Sequence, residues 1–151
     1  NGYSLARKLF FEVGGYSVDS YIDELGETVG EALLKTHQSF LPQIGPLLDK
    51  GIIKGLAHIT GGGFLENIPR ILPDGVSVEI KRGTWPELPI FGLMQRLGNV
   101  SDHEMFRTFN MGVGMILICE PNQAETLQTK IPDIFQIGET VKGTGEVTIT
   151  N

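Results

Sequence analysis

The chain has 151 residues, of which 40% are apolar and 20% are charged, a composition typical of a folded globular domain. Its length suits one domain with a single hydrophobic core. Twelve basic and eighteen acidic side chains give a formal net charge of −6. This balance argues against non-specific binding to nucleic acid or to an anionic membrane, because both require clustered lysine and arginine.

No apolar run approaches the roughly 20 residues that a membrane-spanning helix requires. The single cysteine, Cys119, excludes an internal disulfide and is typical of a reducing compartment, so we expect a cytoplasmic protein. The chain begins with Asn1-Gly2 rather than methionine, and we interpret it as a segment of a longer protein.

Apolar periodicity predicts helices and strands in mixed order along the chain. Helices are predicted over 4–13, part of 38–50, 64–72, 90–97, 101–109 and 123–130. Strands are predicted over 52–59, 76–81, 113–119, 135–141 and 146–150, the last two joined by a turn at 143–145. The polar stretch 16–30 is predicted to be a loop. Because strict βαβ alternation is absent, we expect an α+β fold, a layered domain with a mixed β-sheet packed by helices, as one domain over 1–151.

Two of these segments carry more specific predictions. Ser101 with Glu104 three residues later predicts a capping box at the start of the helix 101–109. The run 113–119 is continuously apolar, which favours a central strand that is covered on both faces.

Three successive glycines follow a threonine between the predicted strand 52–59 and helix 64–72, and we call Thr60–Gly63 the glycine corner. Such a backbone can curl so that its N–H groups point at an anion, and the threonine hydroxyl adds a donor. The segment is neither a Walker A loop nor a GxGxxG fingerprint. A tight turn without a ligand is the alternative interpretation. The phosphate hypothesis requires that the amides of the corner are not already bonded within the protein.

His58 lies just before the glycine corner, on the strand face that it shares with Leu56 and Thr60. One interpretation is a packed, hydrogen-bonded histidine of the strand. The other is an imidazole that contacts a phosphate or accepts a proton near neutral pH.

The predicted helix 101–109 brings His103, Arg107 and Asn110 to one polar face, since they are spaced i, i+4 and i+7. A solvated surface stripe is the alternative. The apolar run that follows predicts that Arg107, Thr108 and Asn110 lie at the rim of the sheet, where a guanidinium suits phosphate or carboxylate binding.

Residues for several other chemistries are missing. Three histidines and one cysteine offer no zinc-ligand spacing, no G-x-S-x-G nucleophile motif is present, and scattered acids predict no magnesium site. We expect Cys119 to be inert within its strand and Trp85 to be a structural plug.

Three separated motifs resemble the C-terminal half of the phosphoribosylformylglycinamidine cyclo-ligase family, also called AIR synthetases. They are His58–Gly63 with Glu66-Asn67 and Pro69-Arg70, then His103–Asn110 with Gly112–Gly114, and the junction-like start Asn1–Leu5 with Arg7-Lys8. The likeness extends in order over essentially the whole chain.

The resemblance implies an ATP-dependent ligase of de novo purine biosynthesis that converts formylglycinamidine ribonucleotide to aminoimidazole ribonucleotide. ATP activates the formyl-amide oxygen, and a nitrogen then closes the imidazole ring. The family's N-terminal domain, absent from this chain, builds a homodimer and holds most of the ATP and Mg²⁺ site. We therefore expect this segment alone to bind neither and to be inactive, with its own N-terminal domain as its partner.

By matching position, the resemblance implies that His58 faces the reacting centre as the catalytic residue. It further implies that the ribonucleotide substrate or its phosphate is bound by Thr60, Gly61, Gly62, Gly63, Asn67, Arg107, Thr108 and Asn110, with no metal ligand in this chain.

The segment 35–40 departs from the family pattern, which has proline, arginine or lysine, and tyrosine where this chain has Thr36, Gln38 and Phe40. The contribution of this segment is therefore left open. A divergent relative in the same ATP-using superfamily is an alternative; this superfamily includes selenophosphate synthetase, thiamine-monophosphate kinase, a hydrogenase maturation factor and formylglycinamidine ribonucleotide synthetase. A non-catalytic phosphate-binding module and an inert fragment are the other two.

Overall fold

The computed structural model describes all 151 residues and contains short helices and strands in mixed order. The helices are α1 (Tyr3–Arg7), α2 (Val29–Leu33), α3 (Leu41–Ile44), α4 (Gly63–Asn67), α5 (Pro89–Gly98), α6 (Asp102–Thr108) and α7 (Ala124–Lys130). The strands are β1 (Tyr21–Ile22), β2 (Glu27–Thr28), β3 (Ile53–His58), β4 (Val76–Lys81), β5 (Met115–Cys119), β6 (Gly138–Lys142) and β7 (Val147–Thr150).

Short 3₁₀ or π-helical segments extend four of these helices. A π-helical turn over Lys8–Val13 continues α1, and 3₁₀ turns cover Gly45–Lys50, Pro69–Ile71 and Pro121–Gln123. All six predicted helices are thereby confirmed in position. Pro69 begins its 3₁₀ turn, where the missing N–H of proline removes no hydrogen bond.

The largest sheet has three strands in the order β6-β4-β7. β6 runs antiparallel to β4 and β7 runs parallel to it, so the predicted α+β fold with a mixed sheet is confirmed. The turn between β6 and β7 crosses the start of β4. There the Ser77 hydroxyl accepts hydrogen bonds from the N–H groups of Gly145 and Glu146 at 3.2 and 3.1 Å.

The prediction of a central strand at 113–119 is wrong, because β5 pairs only with β3, in an antiparallel two-stranded sheet. The strand is nevertheless apolar throughout for a physical reason. Ile116 belongs to the main core, whereas Leu117 and Cys119 pack against a second small cluster of Leu47, Leu127 and Ile131. The run is therefore continuously apolar because β5 contacts two different apolar clusters, not because it has a neighbouring strand on each side.

The prediction of a loop over 16–30 is also wrong in part. A short hairpin of β1 and β2 lies in this stretch, and α2 begins directly after β2. Thr28 and Glu31 form a complete capping box: the Thr28 side chain accepts from the Glu31 amide, and the Glu31 carboxylate accepts from the Thr28 amide at 2.9 Å. The burial of Ile22 and Val29 in the core stabilises these very short elements.

The main core joins the helices around α4 and α6 to the three-stranded sheet. Phe64, Phe106 and Trp85 are buried and pack in tilted and edge-to-face geometry, with ring centroids 5.4 to 6.5 Å apart. The indole N–H of Trp85 donates to the carbonyl of Met111 at 2.9 Å, which confirms the prediction of a structural plug. This packing holds α4 and α6 side by side, and with them the two predicted groups of site residues.

Candidate functional site

The glycine corner is a tight turn that connects β3 to α4. The Gly63 amide donates to the Thr60 carbonyl at 3.0 Å, and Gly62 has the left-handed φ of 97° that glycine favours at this position of a turn. The amides of Gly61 and Gly62 donate to no group of the protein. Two of the three glycine amides therefore meet the condition that the phosphate hypothesis set.

Gly63 has a different role, because it is buried where α4 crosses α6. A Cβ atom added there would lie 1.8 Å from the Phe106 carbonyl oxygen and 3.0 Å from that of Phe109. Its φ of 55° is also left-handed. With its amide already bonded to Thr60, Gly63 has no N–H left for a ligand, and its observed contribution is close helix packing.

Asn67 stabilises the glycine corner through side-chain hydrogen bonds. It is buried, and its amide nitrogen donates to the carbonyls of Thr60, Gly61 and Gly63 at 3.3, 3.2 and 2.8 Å. Its Oδ1 accepts from the Thr60 hydroxyl at 3.3 Å and from Arg70 at 3.1 Å. Every polar atom of Asn67 is thus occupied within the protein, and the side chain sets the shape of the turn.

His58 is the last residue of β3, and its side chain is exposed rather than packed into the strand. Its imidazole makes no hydrogen bond within the chain. Its ring lies 5.5 Å from the ring of His37 and 6.5 Å from that of Phe40, measured between centroids. The interpretation of His58 as a packed, hydrogen-bonded histidine is therefore wrong about the hydrogen bond, whereas the ring does pack beside the atypical segment 35–40.

Arg107 lies on the exposed side of α6, paired with two carboxylates. Its Nε and Nη2 each donate to Glu104 at 3.0 Å, and its Nη1 lies 3.7 Å from Glu66. The Thr108 hydroxyl also donates to Glu104, at 3.1 Å. The hydrogen bonds from Arg107 and then Thr108 lower the pKa of the Glu104 carboxyl, and the same pairing raises the pKa of the Arg107 guanidinium.

Two details predicted for this helix are wrong. Only half of the capping box forms: the Ser101 hydroxyl accepts from the Glu104 amide at 3.3 Å, but the Glu104 carboxylate turns away to Arg107. An arginine one turn later competes successfully for that carboxylate. Asn110 lies beyond the end of α6 instead of continuing its polar face, and its Oδ1 accepts from the Gly112 amide at 3.0 Å.

Glu66 connects the two groups of predicted residues. It follows the glycine corner on α4, and a Cβ atom on Gly62 would lie 2.7 Å from its Oε2, so the carboxylate lies against the turn. Its other oxygen faces Arg107 on α6. Asn1 adds a third approach, because its Oδ1 would lie 3.6 Å from a Cβ on Gly61. The corner, Arg107 and the start of the chain therefore meet at one place.

The structure brings together residues that the sequence analysis named and others that it missed. Glu66 and Glu104 as partners of Arg107, and His37 and Phe40 beside His58, were not predicted. Glu66 belongs to the first family-like motif, directly before Asn67. Its position four residues after Gly62 is the one local sign that its side chain lies near the glycine corner. The approach of segment 35–40 to β3 has no local signal.

Three further observations bound the chemistry. No group of three or more histidine, cysteine, aspartate or glutamate side chains is arranged to hold a metal ion. Cys119 is half-buried, and burial raises the pKa of its thiol, as expected of an inert packing residue. No helix has the length and apolar character needed to cross a membrane.

Comparison with known proteins identifies a family that covers the whole site. Residues 1–150 match the family described as AIR synthase related protein, C-terminal domain. This chain belongs to that family. The match includes the glycine corner, α4 and α6, which confirms the resemblance that the three motifs indicated.

Several proteins that are similar to this chain in sequence are named phosphoribosylformylglycinamidine cyclo-ligase. The protein of Bifidobacterium longum is 52% identical over 80% of this chain and 35% of its own length. Those of Alkaliphilus metalliredigens and Geobacillus thermodenitrificans are 46% and 44% identical over 99% and 96% of this chain, and over 44% and 43% of their own lengths. The chain thus spans less than half the length of these relatives.

Proposed function

We propose that this chain is the C-terminal half of an ATP-dependent cyclo-ligase that converts formylglycinamidine ribonucleotide to aminoimidazole ribonucleotide in purine biosynthesis. The observation that carries the proposal is the pair of unbonded amides at Gly61 and Gly62, with the guanidinium of Arg107 linked to the same turn through Glu66. Membership of the AIR synthase family and the names of the relatives support the reaction class.

The phosphate of the ribonucleotide binds at the glycine corner in this proposal. The amides of Gly61 and Gly62 donate to its oxygens, and Arg107 supplies a positive charge. Glu66 would repel a phosphate at this place, so we expect its half-exposed side chain to turn away into solvent when the phosphate binds. Arg107 then exchanges its weak 3.7 Å contact with Glu66 for the phosphate and keeps its two bonds to Glu104. Thr60 and Asn67 hold the turn, Gly63 provides the helix contact, and Thr108 and Asn110 order the rim of the cleft.

His58 faces the reacting centre in the same proposal. ATP supplies the phosphoryl group that turns the formyl-amide oxygen into a leaving group. The amidine nitrogen then attacks the formyl carbon, phosphate departs, and His58 accepts the proton that the attacking nitrogen loses. The exposed imidazole, free of hydrogen bonds within the chain, is able to accept that proton.

In this proposal, an N-terminal half that lies outside the matched part of the longer relatives completes the site. We propose that it holds most of the ATP and Mg²⁺, builds a homodimer and packs against this domain, and that the enzyme is cytoplasmic. The closeness of Asn1 to Gly61 supports an active site between the two halves.

Substitution in the full-length protein tests the two main residues. We expect Arg107→Gln to raise the KM for the ribonucleotide at least tenfold, because a charge-assisted contact to phosphate is lost. We expect His58→Gln to lower kcat by about a hundredfold, the usual contribution of a general base. Steady-state formation of aminoimidazole ribonucleotide measures both.

His103→Gln is the matched control, because His103 is exposed on the same helix as Arg107 but has no place in the proposed site. It is expected to leave both constants unchanged. Wild-type turnover by either test variant would remove that residue from the mechanism. ATP-dependent product formation by residues 1–151 alone would contradict the proposed need for the N-terminal half.

A further inference from the structure

Three aromatic rings form a cluster at the end of β3, and we call His37, Phe40 and His58 the aromatic cluster. The His37 ring lies 5.8 Å from that of Phe40 and 5.5 Å from that of His58, and the Phe40 and His58 rings are 6.5 Å apart. Phe40 meets both imidazoles in edge-to-face geometry, a favourable arrangement for aromatic pairs. Two of its members come from the segment that departs from the family pattern.

Phe40 is the most buried member of the aromatic cluster. Its ring lies against Gly114, where an added Cβ atom would be only 2.6 Å from the ring. Glycine at this position therefore leaves the room that the phenylalanine occupies. Phe40 is half-buried, whereas His37 and His58 are exposed and have no hydrogen bond within the chain, so their rings remain accessible to a ligand.

The aromatic cluster suits a planar cation. Delocalised cations such as guanidinium bind to the face of a phenylalanine ring, and an amidinium is the same kind of group. The acceptor nitrogen of a neutral imidazole accepts a hydrogen bond from an N–H of such a cation. The names of the relatives place an amidine next to a phosphoribosyl group in one compound. Gly61 is three positions after His58, so their Cα atoms are at most about 11 Å apart. This reach fits a ligand whose amidine and phosphate lie at opposite ends of a ribose.

We propose that the aromatic cluster binds the amidine group of the substrate and distinguishes it from a neutral amide. His37 and Phe40 are then specificity residues that contact the planar arm of the ribonucleotide while the glycine corner holds its phosphate. The proposal rests on the proposed function, because it takes the ribonucleotide as the ligand. It assigns a role to the segment 35–40, whose contribution was left open.

The test compares two ligands on the full-length enzyme: the amidine ribonucleotide, and the analogue in which a carbonyl oxygen replaces the imino nitrogen. His37→Ala and Phe40→Leu are expected to weaken binding of the amidine compound about fivefold each and to leave binding of the analogue within twofold. Phe135→Leu is the control, since Phe135 is an exposed ring without an aromatic neighbour.

The outcomes separate the two proposals. Loss of preference for the amidine compound in His37→Ala and Phe40→Leu, but not in Phe135→Leu, supports the aromatic cluster as the amidine site. Unchanged preference in both test variants overturns it and leaves the proposed function intact. Failure of the wild-type enzyme to bind or convert the amidine compound contradicts the proposed function itself. Because His37 is exposed, its truncation keeps the test valid even if Phe40→Leu fails to fold.

Discussion

Gly61 and Gly63 stand two positions apart in the glycine corner but meet different surroundings. Around Gly61 the nearest atom to an added Cβ is 3.6 Å away and its amide is free. Gly63 lies against the backbone of α6 in a left-handed conformation. The same residue type therefore leaves an unbonded, accessible amide at one position and allows close helix packing at the other.

Alanine substitution distinguishes the two glycines. Gly63→Ala is expected to lower the free energy of unfolding by more than about 3 kcal/mol, because the methyl group collides with the Phe106 carbonyl in a backbone conformation that alanine disfavours. Gly61→Ala is expected to cost less than about 1 kcal/mol. Urea denaturation of the two variants measures the difference, and equal stabilities would refute the assignment of Gly63 to helix packing.

At the scale of elements, Arg82 fastens the end of β4 to the start of α6. Its Nε and Nη2 donate to Glu87 at 2.8 and 3.1 Å, its Nη1 lies 3.2 Å from Asp102, and its guanidinium is 5.5 Å from the centre of the Phe106 ring. The hydrogen bonds to Glu87 are the main cause that raises the pKa of Arg82. This network orients the helix that carries Arg107.

Arg82→Gln is expected to lower the free energy of unfolding by about 1–2 kcal/mol, since a partly buried guanidinium loses its bidentate partner and its ring contact. Arg96→Gln is the matched control. Arg96 pairs with Glu24 on the exposed surface, and such pairs contribute about 0–1 kcal/mol. Thermal or urea unfolding gives both values, and an Arg82 variant as stable as the control would contradict the network's role.

The lowered pKa of Asp102 predicts that the stability of the fold depends on pH. The hydrogen bond from Gln95 at 2.5 Å, and then the nearby Arg82, lower the pKa of its carboxyl. A carboxyl whose folded pKa is below its unfolded value stabilises the protein above the unfolded pKa of about 4, and this contribution is lost as the pH falls through the folded pKa.

Asp102→Asn is therefore expected to be less stable than the wild type at pH 7, with the difference shrinking below about pH 4. Urea denaturation of both proteins across this range measures the difference. A gap that stayed constant down to pH 2 would show that the charge on Asp102 does not stabilise the fold.

Local pattern predicted most of the elements and two parts of the site. Helical spacing located α5 and α7, and glycine spacing located the turn before α4, because these signals lie within a few residues of one another. The partner of β5, the hairpin of β1 and β2, and the turn of Glu104 toward Arg107 depend on competition between distant groups. The same limit hid Glu66 and the aromatic cluster, which exist only once α4 packs on α6 and segment 35–40 approaches β3.

At the scale of the whole molecule, we propose that the chain carries one side of a cleft. The glycine corner, Arg107 and the aromatic cluster are exposed features that the start of the chain also approaches. The relatives are more than twice as long as the part that this chain matches. We therefore expect strong binding of the ribonucleotide only when the N-terminal half closes over this surface.

A structure of the full-length enzyme with the ribonucleotide bound would show where the substrate phosphate lies. We expect this phosphate within hydrogen-bond distance, about 2.7–3.2 Å, of the amides of Gly61 and Gly62 and of the Arg107 guanidinium. We also expect that Arg107 has left Glu66. A phosphate bound elsewhere, with those two amides facing only solvent or protein, would contradict the proposed phosphate site.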